Sequence, residues 1–439
     1  MIRYMRPSLV RQFLGVLQND GIRSAVGRAR DYIRARRGGA APGQVPRVPS
    51  APSAPGAHYL TGVWQTLAQS DAFHVTAAPA CHTKRRKIAL IGDLNLPQCR
   101  KYRVEQLVQF WQTQGVDLGF AHYQDVPRAV HLLQDATHLM LYRLPRCADV
   151  SMYLYEARRL RLPILYDIDD PLFSVSAYET YENMTVLDPG MRAHFAAEAP
   201  RYLDVMNASD VISVSTPGLV DHARLYTHRP VYLRRNFADS ATLDAGRAAM
   251  RARAAPGPDD PFRVVFASGS RGHEADFAII AGTLSAFLQG GAGRRLTILG
   301  HFDPTLLPDA MVSRTDWQAF TGYDQYLAAL AQADCALMPL TDDPFNRCKS
   351  AVRAIDAAAV GVPVICSDVG DFANVVSEGQ TGFIARTPRD WAAALAELAR
   401  DPGGAQAMGT RARHALERRW VAQDAPHIAD AALLDWVRA

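Results

Sequence analysis

Residues 346–370 read NRCKSAVRAIDAAAVGVPVICSDVG. The run from Cys348 to Val360 is rich in Ala, the best helix former, and it stops at Gly361 and Pro363, residue types that end helices. The Val364–Ile365–Cys366 run that follows is β-type. Helix, tight turn and strand in succession are the unit from which parallel sheets with helical crossovers are built. On a helix starting near Cys348, positions 349, 352, 353, 356 and 360 share a face. Lys349 and Asp356 then stand on one side, about 10 Å apart.

The same alternation continues in both directions. Upstream, RVVFASG, LTILGHF and CALMPLT are β runs, and GFIA follows downstream. Before a charged, Ala- and Pro-containing break at 241–261 lies an earlier series: KIALIGD, DLGFAHY, HLMLYRL, PILYDID, VISVS and PVYLRRN. Helical patterns such as YRVEQLVQFWQTQG and DVSMYLYEARRLR separate them. This predicts an α/β chain of two Rossmann-like, doubly wound domains facing a central cleft, with an N-terminal helical extension. The expected divisions are a basic helical extension and Pro/Ala-rich linker over 1–57, a first Rossmann-like domain over 58–245 and a second over 246–420. A carboxyl-terminal helix over 421–439 is expected to dock back on the body, with Trp420 and Trp436 helping to hold it.

Composition narrows the function. An apolar share of 48% with 21% charged residues suits a folded chain, and 439 residues suit two domains. The net charge is only +4, with nine Arg in residues 1–38 against Asp20 and Asp31, so no nucleic-acid footprint emerges. That basic segment has two readings: a peripheral contact with an anionic membrane surface, or simple packing. The six Cys show neither CxxC pairs nor zinc spacing, no apolar run is long enough to span a bilayer, and the first residues lack a signal-peptide core. The expectation is a cytoplasmic protein, peripheral at the inner face of the membrane if the basic segment binds lipid.

Tandem sheets of this kind bind ligands at the carboxyl ends of their strands. There, RVVFASGSRGHEADF leaves a strand through Ser268, Gly269, Ser270 and Arg271 and enters a helix. Small residues, free helix N–H groups and a forked guanidinium suit phosphate; a capped loop with a solvated Arg is the other reading. Lys349 and Asp356 are spaced to hold the phosphates and ribose of a nucleotide diphosphate, unless Asp356 is merely paired with Arg353. In YDIDDPLF, Asp167 and Asp169 point the same way on a strand and suit a cation. Capping of the next loop is the other reading of these carboxylates. QCRKYRV offers Arg100, Lys101 and Arg103 to an anionic acceptor or a diphosphate, or is a solvated basic loop.

These residues carry a family resemblance. AIDAAAVGVPVI followed by SDVGDFANVVSEGQTG resembles the LEAMAxGxPVI and SDxGGxxEVVxDGxTG motifs of GT-B glycosyltransferases of the family 4 type, also called group 1. The likeness spans about residues 86–420. It implies a nucleotide diphosphate sugar as donor, a glycan or lipid-linked acceptor, retention of anomeric configuration, and no metal or other cofactor. It also implies that Arg271 and Lys349 stabilise the leaving diphosphate, and that Asp169 and Asp170 line the acceptor side. The family's E-x7-E signature has its second carboxylate at Asp356, on the ribose, and its first at Cys348. A thiol lacks a carboxylate's two strong acceptors, so recognition of the donor sugar falls to Asn346 or nearby backbone. The Cys keeps two alternatives open: a nucleotide-sugar-binding protein with impaired catalysis, and an epimerase acting on the nucleotide sugar alone.

Overall fold

A computed structural model describes residues 85–439 apart from 254–256, 258–259, 270–271 and 320. The extension and linker expected over 1–57 lie outside the described residues, as do Ser270 and Arg271.

Two six-stranded, wholly parallel sheets are present. The first contains β1 (Lys87–Gly92), β2 (Asp117–His122), β3 (His138–Tyr142), β4 (Ile164–Ile168), β5 (Val211–Val214) and β6 (Val231–Leu233), in the order β2-β1-β3-β4-β5-β6. The second contains β7 (Phe262–Ser268), β8 (Arg294–Gly300), β9 (Thr315–Gln318), β10 (Cys335–Met338), β11 (Val364–Ser367) and β12 (Gly382–Ala385), in the order β12-β11-β10-β7-β8-β9. The strand order reverses beside β1 and beside β7, which opens a crevice at their carboxyl ends. Central strands are buried on both faces, as parallel strands must be when helices cover the sheet. In the first sheet, Leu90, Met140 and Leu165 pack toward Phe110 and Trp111, while Ile91, Leu141 and Tyr166 pack toward Tyr153 and Val205.

Register decides which polar groups meet. Tyr142 lies opposite Asp167 and Asp167 opposite Ser213, so three polar side chains stand in a row near the strand ends.

Three expectations are corrected. The boundary at 245 falls inside the helix Ser240–Ala252, which packs on the helices Tyr323–Leu330 and Val352–Ala359 of the second domain. The first half of the charged break is therefore helical. The strand β9 carries no β-type run in the sequence; TDWQ is an exposed edge strand whose outer residues have no apolar face to fill. The third correction concerns the helix of residues 346–370. Asn346–Cys348 is a 3-10 turn, Lys349 is extended (φ −67°, ψ 139°), and the helix begins only at Val352. Lys349 and Asp356 therefore do not share a helix face. The loop is held open by tertiary bonds: Asp371 N–H donates to the Lys349 carbonyl (3.0 Å) and Thr216 Oγ1 to the Cys348 carbonyl (2.9 Å). Gly370, at φ 68°, lets the chain pass there; a Cβ would meet the Lys349 carbonyl oxygen at 2.8 Å.

The carboxyl-terminal tail docks on the first domain. Leu233 N–H donates to Asp430 (2.7 Å), Arg235 N–H to the Ile428 carbonyl (2.7 Å), and Ile428, Leu433 and Val437 join the Phe110 core. Trp436 stands edge-on to His138.

Candidate functional site

The two sheets meet through the loop 341–350, which projects from the second domain into the first. Phe345 and Cys348 belong to the first domain's apolar core, and the Phe345 ring stacks on Tyr181 at 4.1 Å. Beside this contact, Lys349 Nζ lies 3.1 Å from Asp170 and 4.8 Å from the centre of the Phe345 ring. Asp170 is also held by Arg143 at 2.9 Å, and Arg143 reaches Asp169 at 2.6 Å. Tyr142 hydroxyl donates to Asp169. Burial pushes the Asp170 carboxyl up, but Lys349 and then Arg143 outweigh it and leave it well below the usual range. Asp170, after β4 of the first sheet, and Lys349, from the loop of the second domain, thus form an ion pair between the domains. Arg143, unremarked in the sequence, adopts φ 51° at the end of β3, a conformation rare outside glycine. Its place directly after a strand at the point of order reversal is the signal that marks it.

Asp167 is a different matter. Its oxygens are taken by Arg103 (2.7 Å), Arg234 (2.8 Å) and the Ser213 hydroxyl, and all three charged side chains are fully buried. The cation reading of Asp167 with Asp169 fails on this geometry. The placement of Arg103 on the substrate side is corrected too: it lies in the core and donates its remaining hydrogens to the Arg234 carbonyl and Asn236. Arg100 is exposed and paired with Glu105 at 2.7 Å. Lys101 lies 4.1 Å over the Tyr323 ring and 3.4 Å from Asp239, at the junction of the domains.

Asp356, on the helix Val352–Ala359, is 3% exposed. Both its oxygens accept from the Tyr102 hydroxyl, at 2.8 and 2.6 Å, and Oδ1 accepts from Tyr323 at 2.7 Å. Burial among neutral donors raises its pKa to about 6. The pairing with Arg353 is absent. Arg353 instead points to the carboxyl end of β7, with Nη1 3.4 Å from the Ala267 carbonyl, and has no carboxylate partner among the described residues. Burial disfavours its charge, offset in part by Asp276, Tyr326 and Tyr181 nearby. A desolvated guanidinium beside Ser268 and Gly269 suits a phosphate better than the surface pairing read from the sequence. Its i−3 spacing from Asp356 hid that role, because the same spacing serves a salt bridge.

The remaining candidates have other duties. Asn346 donates to Asp276, Asp343 and the Thr341 carbonyl, while its own Oδ1 is buried without a partner. The Cys348 thiol donates to the Pro344 carbonyl, and burial raises it to about 12. Cys348 therefore serves the domain contact. Gly269 has open space around it, and Ser268 is buried. His273 Nδ1 and Asn183, from opposite domains, both meet Asp276 Oδ2.

Known proteins resemble part of this chain. The model "Glycosyl transferases group 1" matches residues 277–401. That stretch is similar to group 1 glycosyltransferases, and the two facing parallel sheets make a GT-B fold. Glycogen synthase of Mycobacterium tuberculosis is 36% identical over 97 residues, 21% of this chain and 22% of that protein. D-inositol 3-phosphate glycosyltransferase of Nocardia farcinica is 28% identical over 247 residues, 52% of this chain and 49% of that protein. The chain thus spans between about a fifth and a half of the length of these curated relatives. Among solved structures, sucrose-phosphate synthase from Thermosynechococcus elongatus superposes with a TM-score of 0.50 at 16% identity, over 77% of this chain and 96% of that one. The matched stretch begins within the helix Glu274–Gln289 and includes the loop 341–350 and Asp356. No helix among the described residues is long and apolar enough to cross a membrane.

Proposed function

We propose that the protein is a glycosyltransferase that moves a sugar from a nucleotide diphosphate sugar to a hydroxyl of a glycan or lipid-linked acceptor, with retention and without a metal. The observation that carries the reading is a pair of cations at the strand ends: Lys349, paired with Asp170 after β4, and Arg353, which lies by the Ala267 carbonyl at the end of β7 and has no carboxylate partner among the described residues. Breaking the anomeric bond puts negative charge on the departing diphosphate. Fixed cations in a buried site stabilise that charge without reorganising, the role a divalent ion fills elsewhere. Asp356 accepts the ribose hydroxyls. Arg143 fixes Asp169 and Asp170 on the acceptor wall, where Asp170 orients the attacking hydroxyl. With no carboxylate placed as a nucleophile among the described residues, attack comes from the same face as the leaving group. The basic segment 1–38 brings the enzyme to the surface that presents a lipid-linked acceptor.

A screen of UDP-, GDP-, ADP- and dTDP-sugars with glycan and lipid-linked acceptors, in the presence of EDTA, tests this. Transfer that survives the chelator is the expected result; rescue only by Mn²⁺ or Mg²⁺ would sink the metal-free version. A second reading, binding without catalysis, is favoured by the buried Cys348 thiol. Donor binding with neither transfer nor hydrolysis would establish it, whereas epimerisation of donor alone would point to the third.

A further inference from the structure

Asp356 is closed to a ribose in the state described: the hydroxyls of Tyr102 and Tyr323 cover its oxygens and the residue is 3% exposed. One of its two donors must leave first. Tyr323 belongs to the same domain as Asp356, on the helix Tyr323–Leu330. Tyr102 comes from the other domain, 254 residues away in the chain. We propose that Tyr102 is an interdomain latch whose hydroxyl holds, on Asp356, the place of a donor ribose hydroxyl, so that nucleotide binding and withdrawal of this tyrosine are one event. The inference rests on reading Asp356 as the ribose acceptor.

Three observations support it. A phenol donating to a carboxylate offers the same hydrogen bond as a sugar hydroxyl, so one replaces the other without leaving the buried acceptor unpaired. Tyr102 lies within a π-helical turn, Lys101–Glu105, between the helices Pro97–Arg100 and Gln106–Thr113. Such turns are rare within helices and are frequent at functional sites. Finally, the further contacts of residues 101–102 across the junction are weak ones: Lys101 lies 3.4 Å from Asp239 and over the Tyr323 ring, and the Tyr102 ring stands edge-on to Tyr323 at 6.2 Å. In a latched protein the binding-competent fraction is small, and apparent affinity falls by that fraction.

The test is calorimetric titration of the full chain with UDP, GDP and ADP. For whichever nucleotide binds, Tyr102→Phe is expected to tighten binding about tenfold, while Asp356→Ala weakens it. Unchanged or weaker binding by Tyr102→Phe overturns the latch and leaves the ribose reading intact. Unchanged binding by Asp356→Ala overturns the ribose reading and the latch with it, as does failure of all three nucleotides to bind either the wild type or Tyr102→Phe. A readout on the wild type alone guards against a misfolded variant: nucleotide should speed amide hydrogen exchange over residues 101–105, and protection or no change there overturns the latch.

Discussion

Two buried aspartates, one in each domain, end in opposite surroundings. Asp167, near the end of β4, sits between two fully buried guanidiniums that hold it ionised. Asp356, on the helix Val352–Ala359, is ringed by tyrosine hydroxyls, which satisfy its oxygens without supplying charge. Cationic partners make a buried carboxylate permanent, because removing it strands their charge. Neutral partners leave it exchangeable, since any hydroxyl of suitable geometry replaces them. The difference separates a carboxylate fixed into the fold from one whose partners can be exchanged.

The sharpest way to break this comparison is Asp167→Ala. Two arginines left in the core without their counter-charge should cost about 3–5 kcal/mol, visible as a large fall in thermal midpoint or loss of folded protein. A stable variant would mean that Arg103 and Arg234 find other partners. Next in size is Arg353→Ala. If the guanidinium meets the leaving diphosphate, kcat/KM should fall about 10²–10³-fold with the thermal midpoint little changed; retention of full activity would return Arg353 to a packing role. Asp356→Ala should weaken nucleotide binding by about 1.5–3 kcal/mol while the protein stays folded, as measured by calorimetry.

The smallest effect is a pH dependence. Asp356 binds its proton more tightly folded, with a pKa of about 6, than an ordinary carboxyl does. The stability it contributes is therefore full below pH ~4 and lost as pH rises through about 6. The groups that face it are Tyr102, Tyr323, Tyr326, Lys101 and Asp239. Asp356→Asn, which cannot ionise, should gain about 2 kcal/mol on the wild type between pH 4 and pH 7 and nothing further above it. Asp343, also raised to about 6, is common to both proteins and drops out of the difference. Equal pH profiles in thermal melts would show that Asp356 is not held in a neutral setting.

The amino-acid sequence by itself determined the two-sheet architecture, because parallel strands covered on both faces must be apolar runs separated by helices. Eleven of the twelve strands are visible that way, and only β9, exposed at an edge, has no such pattern. It also marked Asp169 and Asp170 as the residues that directly follow a strand, β4. What those groups touch was decided by tertiary structure. Whether Arg103 serves a ligand or a core carboxylate depends on Asp167 and Arg234, 64 and 131 residues away in the chain. Whether the helix of residues 346–370 starts at 348 or 352 depends on Thr216 and Asp371, which hold the loop backbone. Local propensity specifies elements through near neighbours, whereas the partner of a buried charge is specified by the packing of distant segments, and no local pattern records it.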